Sequence, residues 1–157
     1  MFSLSALVAL LAACAPSPDS MTITQGSVGD DFKPYVAQYE QYKGAKMNQG
    51  ISITFGDTGP NAQTAGICRI QSNVRTIIVN KRYWDKFYES TRLELILHEL
   101  GHCDLNRPHN DKLVDGRAVS IMNSYLFVLT PEYFNAYIAE LFSPTASDTL
   151  KDGDILN

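Results

Sequence analysis

The sequence predicts an α+β fold: a short mixed sheet packed on an N-terminal helix and a central helix, with another helix near the C-terminus. Three patterns carry that expectation. Phe32, Tyr35, Val36 and Tyr39 recur at helical spacing, Ile51, Ile53 and Phe55 alternate with polar neighbours, and a second helical period fills residues 91–105. In chain order, Asp30 to Lys46 reads as an amphipathic helix ended near Gly44. Ile51 to Phe55 is a half-buried strand stopped by Gly56 and the Gly59-Pro60 pair. Gly66 to Ile70 fits a second short strand. Arg75 to Asn80, with its Ile77-Ile78-Val79 run, suits the interior of a sheet. A turn or short helix over Trp84 to Tyr88 precedes the central helix, placed at Thr91 to Leu105 because Thr91-Arg92-Leu93-Glu94 has the form of a capping box. Leu93, Ile96 or Leu97, Leu100 and Cys103 form its face toward the sheet. Beyond His109 come a polar stretch, an apolar run from Val119 to Leu129, and a helix from Glu132 to Phe142 opened by Pro131. The folded domain is expected over residues 30–143, with 144–157 a loose polar tail.

A chain of 157 residues, 45% hydrophobic and 19% charged, has room for one ordinary globular core. The net charge of -4 gives no electrostatic footprint for nucleic acid.

His98-Glu99-Leu100-Gly101-His102 matches the pattern H-E-x-x-H. Residues four apart lie one above the other on a helix, so both imidazoles can approach one cation from the same side. Glu99 is turned by about 100° from His98 and sits beside such a cation, where it can take a proton from water activated by zinc. A catalytic zinc takes three protein ligands and keeps an open position. All three histidines of the chain fall between His98 and His109, which makes His109 the leading third ligand. An acidic residue, Asp111, Asp115 or Glu132, is the alternative.

With those residues in view, the chain resembles the metzincin metallopeptidases, whose signature is H-E-x-x-H-x-x-G-x-x-H followed by a tight turn carrying methionine. Here His98 to His109 is one residue longer between the second and third histidines, and Asn106 is expected to take up the left-handed exit that glycine provides in the family. Ser120-Ile121-Met122-Asn123 resembles the Met-turn, which implies that Met122 packs beneath the metal without ligating it. The resemblance implies a zinc-dependent endopeptidase with Glu99 as general base and a peptide or protein as substrate. It also implies that substrate adds as a strand along a short edge strand, expected at Gly66, Ile67 and Cys68. A zincin with an acidic third ligand, and a lipid-anchored zincin-like binding module with little turnover, are the competing readings.

The N-terminus carries a separate expectation. Phe2 to Ala13 is apolar, almost uncharged and too short to span a bilayer as a helix, as in the apolar region of a secretory signal. Leu11-Ala12-Ala13-Cys14 resembles the lipobox of bacterial lipoproteins. That resemblance implies a signal peptide over 1–13, lipidation at Cys14, and a tether over 14–29 holding the domain at a membrane of the cell envelope, facing the periplasm or the surface. Ala15 in place of Asp implies outer-membrane sorting in a Gram-negative source. Cys68 and Cys103 then remain in an exported chain, either bridged to each other or buried separately as thiols.

Overall fold

The computed structural model describes residues 25–60, 63–127, 129–142 and 155–156. The signal segment 1–13, Cys14, the tether as far as residue 24 and most of the tail lie outside the described residues. Asp30–Phe32 forms a 3-10 turn that runs into α1, Lys33–Lys43, with Pro34 in its first turn. Gly44 ends α1 in the left-handed conformation, φ 71°, and its N–H closes on the carbonyls of Glu40 and Gln41. Phe32, Tyr35, Val36 and Tyr39 are buried, as their spacing predicts.

Three strands follow: β1 (Ile51–Phe55), β2 (Gly66–Gln71) and β3 (Val74–Val79). β1 runs parallel to β3, which pairs antiparallel with β2, so the sheet is mixed. The register places Ile53, Ile77 and Cys68 in one row across it, and Phe55, Val79 and Gly66 in the next. Strand alternation puts both rows on the same face.

Residues 26–29, grouped with the tether on sequence grounds, run beside the outer edge of β1. Ile53 donates to the carbonyl of Ser27 at 2.8 Å, and Gly29 donates to that of Ile53 at 3.0 Å. The tail also differs from a wholly loose segment, since Ile155–Leu156 forms a short strand, β6, antiparallel to Arg69 and Cys68 of β2. In both places an edge with free backbone donors and acceptors accepts a further segment.

The region before the central helix departs from expectation. A single turn of helix, α2 (Lys81–Trp84), begins earlier than predicted because the Asn80 side chain accepts a hydrogen bond from the Arg82 N–H at 3.1 Å. The central helix α3 spans Glu89–Cys103 with Tyr88 at its N-cap and no side-chain cap. The capping-box reading of Thr91 and Glu94 is therefore overturned. Glu94 is buried and accepts instead from the backbone N–H of Phe127 at 2.7 Å.

Leu95, Ile96, Leu97, Leu100 and Cys103 bury α3 against the sheet and α1. Just past its end, the buried carboxylate of Asp104 accepts from Tyr39 Oη at 2.6 Å, Lys43 Nζ at 2.7 Å and the Asn48 N–H at 3.1 Å, fastening α1 to α3. Within the polar stretch beyond His109 a hairpin joins β4 (Leu113–Val114) to β5 (Arg117–Ala118). Asp115 (φ 51°) and Gly116 (φ 74°) form its two-residue turn, the left-handed pair that such hairpins favour. The last helix, α4, spans Pro131–Leu141 and buries Tyr137 and Leu141. No described helix is long and apolar enough to cross a membrane.

Candidate metal centre

α3 delivers His98, Glu99 and His102 to one buried place, with side chains from the loop after it closing the site. Nε2 of His98 lies 3.0 Å from that of His102 and 3.3 Å from that of His109. An ion held tetrahedrally at ~2.0–2.1 Å by three imidazoles requires nitrogens about 3.3 Å apart. Two of the three separations are close to that value and all three ligand atoms lie within 4.8 Å of one another, so the cluster could hold a single metal ion. Among the described residues it is the one group of metal-ligating side chains found close enough to share an ion.

The orientation of each ring has a backbone cause. His98 Nδ1 donates to the carbonyl of Ile121 at 2.8 Å, and His102 Nδ1 donates to that of Arg107 at 2.6 Å. A carbonyl only accepts, so the proton sits on Nδ1 and the Nε2 lone pairs face one another, the tautomer needed for metal binding. Burial pulls the His98 imidazole down to about 4 and that of His102 to about 2, and it lowers His109 as well. All three rings are thus neutral at pH 7, the state in which they can ligate.

His109 reaches the cluster by the predicted left-handed exit. Asn106 has φ 55°, the Asn106 N–H closes on the His102 carbonyl at 3.2 Å, and the Arg107 N–H closes on that of Gly101 at 3.0 Å. Arg75 of β3 holds this corner, donating to the carbonyl of Cys103 and to Asn106 Oδ1. None of the acidic alternatives belongs to the ligand group, although Asp111 lies within electrostatic reach of His98 and His109. Asp111 is exposed and accepts from Ser124 N–H and Oγ at 2.7 and 2.9 Å, Asp115 sits in the β4–β5 turn, and Glu132 is exposed on the first turn of α4.

Ser120 to Asn123 makes the expected tight turn, with the Asn123 N–H donating to the Ser120 carbonyl at 3.2 Å. Met122 is fully buried, and its Sδ occupies the space a side chain at Gly101 would need: a Cβ there would stand 2.3 Å from the sulfur. Glycine inside H-E-x-x-H is therefore what lets the methionine turn pack directly against α3.

Glu99 is buried, and its Oε2 meets no hydrogen-bond donor among the described residues. Burial raises its carboxyl well above the ordinary range. Its Oε1 lies against Gly66, where an added Cβ would come within 2.7 Å. A cleft of about 400 Å3 opens beside it, lined by Ala65, Gly66, Leu95, His98, Glu99 and Leu126, with Tyr83, Phe87 and Tyr125 at its walls. Of the three edge residues named from sequence, Gly66 borders this cleft and Ile67 and Cys68 do not. Cys68 is instead disulfide-bonded to Cys103 at the end of α3.

Three residues around the site carry little sequence signal: Glu94, whose carboxylate receives the Phe127 N–H next to the cleft-lining Leu126, and Arg107 and Glu140, which form an ion pair. Glu94 left one signal, a charge inside the otherwise apolar Leu93 to Leu97 run. Arg107 and Glu140 left none, because their partners are remote in the chain.

Glu94 has a measurable consequence. Burial pushes its carboxyl up to about 8 from an ordinary 4.5, so the folded state holds an extra proton between those values and stability falls as pH rises through them. The histidines act in the opposite sense, mainly below their ordinary 6.5. Between pH 6.5 and 8 the Glu94 effect is worth about 2 kcal/mol. Metal-free protein is expected to melt at a lower temperature at pH 8 than at pH 6.5, and Glu94→Gln to flatten that dependence. An unaltered slope in the variant counts against this account.

A scan of protein-family models finds none that matches the chain, and neither curated proteins nor solved structures yield a match.

Proposed function

We propose that this chain is a zinc-dependent endopeptidase of metzincin type. The observation that carries the reading is the convergence of three neutral imidazole Nε2 atoms beside a buried, unpartnered carboxylate at the edge of a cleft. The left-handed Asn106 and the turn that seats Met122 against Gly101 support the metzincin form of it.

In this reading His98, His102 and His109 hold zinc, which when bound supplies Lewis acidity that brings a water's pKa to about 7 and polarises a carbonyl. Substrate lies extended beside Gly66, where β6 does not pair and where the absence of a side chain lets the Glu99 carboxylate come up against the strand. Glu99 takes the proton from the attacking water and passes it to the leaving amine nitrogen, so one carboxylate serves as base and then as acid.

Cleavage of a peptide library by purified protein, lost on chelation and restored by zinc, tests the activity. Metal analysis that finds no bound zinc after reconstitution would sink it. Within this reading His109→Ala is expected to weaken zinc binding by at least tenfold, since loss of one ligand leaves two of three protein contacts. Undiminished affinity in that variant points to an acidic third ligand.

We place the domain at a cell-envelope membrane through lipid on Cys14, on the strength of the Leu11-Ala12-Ala13-Cys14 motif. Metabolic labelling with a fatty acid is expected in the full chain and not in Cys14→Ser. Equal labelling of both would exclude Cys14 as the anchor.

A further inference from the structure

We infer that Glu140, on α4, is a positioning residue for the metal centre: a single carboxylate clamps both of the loop segments whose backbone carbonyls aim the histidines. The inference rests on the reading of His98, His102 and His109 as metal ligands. Glu140 touches none of them. Its Oε1 accepts from Arg107 Nη2 at 2.5 Å and its Oε2 from Ser120 Oγ at 2.6 Å. Arg107 Nη1 also reaches the carbonyls of Glu140 and Leu141, at 2.5 and 2.7 Å, so the guanidinium is anchored on the end of α4 by three bonds.

Each arm ends one step from a histidine. Arg107 supplies the carbonyl that receives His102 Nδ1–H. Ser120 accepts from the Met122 N–H at 3.0 Å and so shapes the turn whose Ile121 carbonyl receives His98 Nδ1–H. The third segment joins them, because the Asn110 N–H, next to His109, donates to the Met122 carbonyl at 2.8 Å. Arg107 is 5% exposed and Ser120 is fully buried. In that setting the loss of one partner leaves the others uncompensated and water cannot substitute cheaply. α4 thereby acts as the rear support of the site, although it contributes no ligand.

The test is zinc affinity of the folded full chain, measured by competition with a chromophoric chelator, for wild type, Glu140→Ala and Glu140→Gln. Groups that orient a ligating histidine are worth about 10–100-fold in metal affinity. Glu140→Ala is expected to fall in that range, and Glu140→Gln, which can still accept from Arg107, to recover part of the loss. Nuclear magnetic resonance of the metal-free protein supplies a readout that simple destabilisation does not move. The Nδ1 protons of His98 and His102, protected in wild type, are expected to exchange faster in Glu140→Ala well below its melting temperature. Zinc affinity within twofold of wild type, with Nδ1 protection retained, overturns the inference. If Glu140→Ala does not fold, Ser120→Ala cuts one arm alone: weaker zinc binding with faster exchange at His98 supports the clamp, and unchanged values overturn it. Wild type that binds no zinc defeats the metal reading itself, a separate outcome.

Discussion

Glu99→Ala is expected to keep its zinc and lose hydrolysis, with kcat reduced by ~10²–10⁴-fold, the span that a general base contributes. Metal retention follows from the geometry, since the ligand atoms are the three Nε2 groups and their orientation comes from the carbonyls of Ile121 and Arg107. Loss of turnover follows because Glu99 is, among the described residues, the one carboxylate that lines the cleft. Glu99→Gln sharpens the comparison, because it preserves volume against Gly66 and removes only the ability to take a proton. Metal analysis and peptide cleavage on the same samples check both halves. Hydrolysis at wild-type rate in either variant would remove Glu99 from the mechanism.

Breaking the Cys68–Cys103 bridge is expected to cost about 4 kcal/mol, from the loop entropy released to the unfolded chain when a separation of 35 residues is no longer closed. Against a typical stability of about 5–15 kcal/mol for a domain, that is a large share. The denaturation midpoint of the Cys68→Ala, Cys103→Ala double variant measures it, and a midpoint equal to wild type would refute it. The bridge also has a geometric role. From Glu99 to Cys103 the helix rises about 6 Å, and from Gly66 to Cys68 the strand advances about 6.8 Å. With Cys103 tied to Cys68, Glu99 is held level with Gly66, where its carboxylate is found. The double variant is therefore expected to lose activity at denaturant concentrations below its unfolding midpoint, as α3 slips relative to β2.

The elements were largely legible because their signals are local. Alternation in Ile51 to Phe55, the helical spacing from Phe32 to Tyr39, and Pro131 ahead of the last helix each state a preference that tertiary packing follows. The capping-box reading failed for a physical reason. Thr91 and Glu94 have the right spacing, but the Phe127 N–H, 33 residues away in sequence, comes to Glu94 in the folded chain and the carboxylate is buried there. The β4–β5 hairpin is faint in the sequence because only two residues pair on each side, too few for alternation to show, although Asp115-Gly116 carries a turn signal.

At the site, helix geometry alone placed His98 and His102 on one face and Glu99 beside them, and the conformational tolerance of asparagine anticipated the turn at Asn106. Those are properties of neighbouring residues. Three dimensions decided the rest: that His109 and not Asp111, Asp115 or Glu132 completes the cluster, that Cys68 meets Cys103, and that Gly101 makes room for Met122. Three dimensions also decided that the imidazoles are neutral and the Glu94 and Glu99 carboxyls raised, because desolvation depends on what packs around a group, and partners such as Ile121 for His98 and Phe127 for Glu94 lie 23 and 33 residues away along the chain.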